Sequence, residues 1–86
     1  MLNKKSAEEK LAAFLINLST RFRRLGYSSK KYNLPMSRQE IGNYLGLTTE
    51  TVSRTFSKFK KLDLLTVNHK ALLIKDLDSL HAIADG

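Results

Sequence analysis

Ser37-Arg-Gln-Glu-Ile-Gly-Asn-Tyr-Leu-Gly-Leu-Thr-Thr-Glu-Thr-Val-Ser-Arg54, continued by Thr-Phe-Ser-Lys-Phe-Lys-Lys-Leu62, is the stretch that decides how this chain folds. It opens on a capping box, Ser37-Arg-Gln-Glu40, in which the serine oxygen accepts from a first-turn amide while the carboxylate reaches back to the cap. Ile41 and Leu45 then share one face, and Gly46 stops the helix after about two turns. Thr48 caps a following helix, expected over residues 49–61, in which Val52, Phe56, Phe59 and Leu62 fall at helical spacing. Two short helices meeting steeply across a turn of about three residues need small residues where their backbones approach. Gly42 meets that need: inside a helix it costs about 1 kcal/mol relative to alanine, so it implies close packing. Gly46 supplies a left-handed turn, and Ile41, Leu45, Leu47 and Val52 supply the contacts that lock the angle. Together these residues specify a helix-turn-helix.

The second helix of the pair has two chemically different sides. Val52, Thr55, Phe56, Phe59 and Leu62 cluster in one direction, and Glu50, Ser53, Arg54 and Ser57 lie roughly opposite. An apolar back and a hydrogen-bonding front are what a helix in the major groove of DNA requires. Arginine can bond bidentately to the O6 and N7 edge of guanine, a carboxylate can accept from cytosine N4, and serine can serve either polarity. Glu50, Ser53 and Arg54 are therefore the expected base-reading residues. Glu50 and Arg54 also have the spacing of an i, i+4 salt bridge, which would pre-orient the arginine and is compatible with readout. Ser57, Lys58, Lys60 and Lys61 lie further along, where phosphate neutralisation is the natural role. The helix starts, Ser37, Arg38, Thr48 and Thr49, and the hairpin residues His69 and Lys70 are the remaining candidates for backbone contact.

Upstream, Ser6-Ala-Glu-Glu9 is another capping box, and Leu11, Phe14, Leu15, Leu18, Phe22 and Leu25 repeat on one face. The spacing predicts a helix of about five turns, with Gly26 as its left-handed cap. Arg21, Arg23 and Arg24 in its last turn suit the negative end of the dipole and equally suit phosphate. Lys31 to Leu34 is a short extended run that Pro35 ends. Downstream, Leu64 to Val67 and Ala71 to Ile74 read as a hairpin around Asn68-His69-Lys70. Asp76 or Asp78 then caps a last helix that turns Leu77, Leu80, Ile83 and Ala84 to the core. The expected fold is mainly α with a small β-hairpin.

The 86 residues allow one small domain. Cysteine is absent, so disulfides, thiolate zinc sites, iron–sulfur clusters and thiol nucleophiles are excluded within this sequence. No cofactor or metal is expected. No apolar run approaches the roughly 20 residues of a membrane span, and no secretory signal pattern opens the chain, so the reading is a soluble, cytoplasmic protein without a membrane partner. Fifteen Lys and Arg against eight Asp and Glu give +7. Arg21 to Lys61 alone holds ten basic residues and two acids, a net +8, which points to a polyanion. An enzyme is disfavoured, because no nucleophile elbow, phosphate-cradling glycine loop or metal-ligand spacing occurs and the two histidines, His69 and His81, stand alone. A helix-turn-helix domain that binds only protein would not need the Glu-Ser-Arg front or the concentrated charge. RNA binding would need solvent-facing aromatics; Phe56 and Phe59 are expected in the core, and spacing does not decide the sides of Tyr27, Tyr32 and Tyr44.

Ser37 to Arg54 closely resembles the helix-turn-helix of the Crp/Fnr family of bacterial transcription regulators, specifically its Fnr (fumarate and nitrate reduction) branch. The likeness extends from Ser6-Ala-Glu-Glu-Lys-Leu-Ala-Ala-Phe14 through Asn17-Leu-Ser19 and Arg21-Phe22 to Asp78-Ser-Leu80. It implies a winged helix-turn-helix with the Leu64 to Ile74 hairpin as wing, and binding as a homodimer to a palindromic operator. In the Fnr branch a glutamate, serine and arginine spaced as Glu50, Ser53 and Arg54 read half-sites similar to TTGAT. The resemblance also admits RNA polymerase as a partner, and it implies that residues 1–86 form the single DNA-binding domain of a larger regulator with an N-terminal effector domain. Thr55 stands where the family usually has a larger aliphatic residue, which predicts looser packing behind the recognition helix. Pro35 interrupts a strand that is commonly continuous.

Overall fold

The computed structural model describes residues 5–86. Ser6 caps α1, Ala7–Arg24, and both hydrogen bonds of its capping box with Glu9 are formed. Leu11, Phe14, Leu15 and Leu18 of α1 are buried, so the apolar stripe read from the sequence faces the core. Leu25 does not: it is 70% exposed. It is the C-cap of α1, with ψ near 1°, and the helical periodicity that assigned it inward ends one residue earlier.

After Gly26, which takes φ +89° as the left-handed turn requires, the chain forms β1, Lys31–Asn33. Ser37 then caps α2, Arg38–Leu45, again with a complete capping box, and Gly46 closes it at φ +73°. Three residues separate α2 from α3, Thr49–Lys61, which Thr48 caps. β2, Leu65–Asn68, and β3, Ala71–Ile74, form the expected hairpin, and Asp76 rather than Asp78 caps α4, Leu77–Asp85.

The sheet is larger than a hairpin. β1 pairs antiparallel with β3, Tyr32 opposite Leu72, so the strand order is β1-β3-β2. Pro35 does not detach the chain from the sheet, because the Leu34 amide still donates to the Lys70 carbonyl at 2.7 Å. Tyr32, Leu72, Leu65 and Ile74 point from the sheet into the core, where they meet α1, Ile41, Val52, Phe56 and Phe59. Tyr32 is buried, its hydroxyl donates to the Leu15 carbonyl and shares a 3.0 Å hydrogen bond with Ser19, and burial raises its pKa. α1 packs against α4 and against α3, and it supports the helix-turn-helix from behind: the Lys10 ammonium donates to the Leu45 carbonyl at the end of α2. The architecture is a winged helix-turn-helix.

Candidate nucleic-acid interface

Gly42 is what allows α2 and α3 to meet as they do. A β-carbon there would lie 2.5 Å from the Leu47 carbonyl oxygen, so the residue is constrained by the turn backbone between the helices. The Leu47 amide in turn donates to the Gly42 carbonyl at 2.8 Å, closing that turn.

On α3, Val52, Thr55, Phe56 and Phe59 are buried and Glu50, Ser53, Arg54 and Ser57 are exposed, which matches the two sides read from the sequence. Leu62 departs from it and is 53% exposed, for the reason that applies to Leu25: it is the C-cap, beyond the last helical residue. Thr55 fits its buried position. Its hydroxyl donates to the Thr51 carbonyl at 2.7 Å, so the smaller residue leaves no orphaned polar atom in the core.

Arg54 is not bridged to Glu50. Its Nη2 donates instead to the Thr51 hydroxyl at 3.2 Å, and the Thr48 hydroxyl donates to the same oxygen at 2.8 Å while accepting the Thr51 amide. The residue that orients Arg54 is thus Thr51, one helical turn before it. Its signal in the sequence is the i, i+3 spacing, which competes with the charge-complementary i, i+4 partner Glu50. Glu50 is left free of any ion pair among the described residues.

The backbone candidates divide into groups. Ser37 and Thr48 spend their side-chain oxygens as helix caps, and Thr49 is exposed in the first turn of α3. Ser57, Lys60 and Lys61 are exposed on the later turns. Lys58 is engaged: its ammonium pairs with Glu8 at 2.7 Å, linking the first turn of α1 to α3 beside Arg54. On the other flank of α3, Arg38 reaches from the first turn of α2 to the wing. Its Nη1 donates to the His69 main-chain oxygen at 2.6 Å, and its guanidinium carbon lies 4.9 Å from the Phe56 ring centroid. Burial lowers the Arg38 pKa. Glu40, in the same turn as Arg38, is held below the usual glutamate range, first by the Ser37 amide, then by the Ser37 hydroxyl, with Lys70 adding to the effect. His69 and Lys70 form the exposed wing turn, His69 at φ +58°.

The exposed front of α3 is therefore flanked by the start of α1 on one side and by the wing turn on the other. The family model for the Crp-like helix-turn-helix domain matches residues 9–83. This chain belongs to that family. The Crp-like domain is 52% identical over 86 residues to the transcriptional activator protein FnrA of Stutzerimonas stutzeri, covering 100% of this chain and 35% of that protein. It is 50% identical over 84 residues to the fumarate and nitrate reduction regulatory protein of Salmonella typhimurium, covering 98% of this chain and 34% of the relative. Among solved structures, FixK2 from Bradyrhizobium japonicum superposes with a TM-score of 0.83 at 35% identity, over 95% of this chain and 40% of that one. The Crp-like domain thus spans about a third of the length of the curated relatives it matches. These relatives are transcription regulators rather than enzymes, in agreement with the sequence reading. Among the described residues no helix is long and apolar enough to cross a membrane.

Proposed function

We propose that this Crp-like domain binds double-stranded DNA sequence-specifically, as the DNA-binding part of a cytoplasmic transcription regulator. α3 enters the major groove, with Glu50, Ser53 and Arg54 reading a half-site similar to TTGAT. Thr49, Ser57, Lys60, Lys61 and the wing residues His69 and Lys70 contact the flanking phosphates, joined by Lys58 when phosphate displaces Glu8. Ser37 and Thr48 serve through the helix starts that they cap, where amides and dipole favour an anion. A full-length parent binds a palindromic operator as a homodimer, one domain per half-site.

The observation that carries this reading is the division of α3 into a buried back of Val52, Thr55, Phe56 and Phe59 and a front that exposes a carboxylate, a hydroxyl and a guanidinium. A protein-docking helix has no use for that donor and acceptor set, and an RNA-stacking surface would need aromatics where Phe56 and Phe59 are instead buried. Salt-titrated binding to a palindromic duplex carrying TTGAT half-sites, beside a scrambled duplex of equal length, tests it. Preference for the palindrome that persists as salt rises is expected, since phosphate contacts fade with salt and base contacts do so less. Equal affinity at every salt concentration would reduce the domain to a non-specific polyanion binder.

A further inference from the structure

Arg38 stands where three elements meet. Its helix, α2, supplies the start of the helix-turn-helix; its guanidinium bonds a wing carbonyl 31 residues away and covers an aromatic ring of α3. We propose that Arg38 is a positioning residue that fixes the wing turn against the recognition helix, so that Lys70 and the front of α3 engage one half-site together; this rests on the DNA-binding reading.

A cation placed only to meet phosphate has no need of a main-chain partner or of burial, and Lys60 and Lys61 show the exposed alternative on α3. Arg38 is half-buried, and its 2.6 Å charge-assisted bond is to the backbone of His69, so it sets the path of the turn whatever side chain stands there. The Phe56 ring holds the guanidinium from below by cation–π attraction, which ties the position of the wing to α3. The next carbonyl of the turn, Lys70, accepts from the Leu34 amide at 2.7 Å. Two successive carbonyls of the wing turn are thus clamped, one by β1's continuation and one by α2. A short hairpin tip left to itself is marginally ordered, and the clamp removes that motion before DNA arrives, which lowers the ordering cost of binding.

The test uses the 86-residue chain. Backbone amide relaxation measured by NMR without DNA is expected to show faster motion at His69, Lys70 and Ala71 in Arg38→Gln, with α1 and α4 unchanged. Phe56→Leu, which keeps an apolar back but removes the ring, should loosen the same amides to a smaller extent and stands in if Arg38→Gln does not fold. On the duplex, Arg38→Gln should weaken binding about tenfold in the wild-type wing but less than about threefold in a Lys70→Ala background. Wing amides that stay unmoved in both variants, or losses that simply multiply in the double mutant, would overturn the proposal and make Arg38 an independent phosphate ligand. Failure of the wild-type chain to prefer the duplex would remove the half-site part of the proposal along with the DNA-binding reading, while the amide measurement would still decide whether Arg38 holds the wing.

Discussion

At the scale of single residues, Arg54 and Glu50 separate readout from electrostatics. Arg54 is exposed and steadied only by the Thr51 hydroxyl, so its planar fork is free for a base edge. Arg54→Lys keeps the charge but loses the fork, and should cost about 1–3 kcal/mol on the specific site with little change on random DNA. Equal weakening on both duplexes, measured in parallel titrations, would assign Arg54 to phosphate instead. Glu50 is an acid on the surface proposed to meet DNA, and electrostatics alone would make Glu50→Gln tighten every duplex. A hydrogen bond from cytosine N4 reverses that sign on the specific site only, so a loss there of about 1–3 kcal/mol together with a gain on random DNA is expected. If both duplexes tighten by the same factor, Glu50 is not a reader. That Glu50, Ser53 and Arg54 share one exposed face is legible in the sequence, because a front and a back can be drawn from helical spacing alone. The hydrogen bond that orients Arg54 is not, since Thr51 and Glu50 are both within reach of it and spacing does not choose between a hydroxyl and a carboxylate.

At the scale of elements, local chemistry was written plainly in the chain and long-range pairing was not. Both capping boxes and the glycine turn formed as expected because each depends on residues within four positions of one another. The pairing of β1 with β3 joins Asn33 to Ala71, and no pattern within three residues can announce a partner so distant. Helical periodicity points Leu25 and Leu62 at the core, yet each lies one residue past the last helical one and is exposed. The local chemistry makes two predictions. Gly42→Ala gains about 1 kcal/mol of helix propensity, but its methyl group would meet the Leu47 carbonyl oxygen at 2.5 Å, and main chain cannot swing aside. Overpacking strain of about 1–3 kcal/mol should prevail, and chemical denaturation should show a less stable variant. The caps make stability depend on pH. The carboxyls of Glu9 and Glu40 are held below their ordinary values, first by the amides of Ser6 and Ser37, then by those serines' hydroxyls. A carboxyl with a lowered folded value stabilises the fold fully above its unfolded value, near pH 4.5, and loses that contribution as pH falls through the lower folded value. The double variant Glu9→Gln, Glu40→Gln should therefore melt below wild type at neutral pH, and the two melting temperatures should converge in acid. A gap that stays constant with pH would show that the caps act without their charge.

At the scale of the whole molecule, the question is what one copy can do alone. The apolar residues of α1, the longest helix, are spent on the domain's own core, where Leu11, Phe14, Leu15 and Leu18 are buried. The large apolar residues left exposed among the described residues, Leu25 and Tyr27 in the turn after α1, Tyr44 on α2, Leu62 at the end of α3 and Leu73 on β3, do not repeat along one helical seam. The 86-residue chain should accordingly sediment as a monomer, and its single recognition helix should occupy one half-site. A net charge of +7 supplies attraction to any duplex. Base contacts from one short helix add to that, but the gain from tethering a second domain, which can reach about 10²–10⁴ in affinity, is missing. The dissociation constant should then approach the non-specific range, on the order of 10⁻⁴ to 10⁻⁶ M at physiological salt. Joining two copies through a coiled coil, at a spacing of about one helical turn of DNA, should restore tight binding to the palindrome and leave half-site affinity unchanged. Sedimentation of the unjoined chain as a dimer at low micromolar concentration would overturn this account. It would place a second, unassigned interface among the exposed residues of α1, α2 or the sheet.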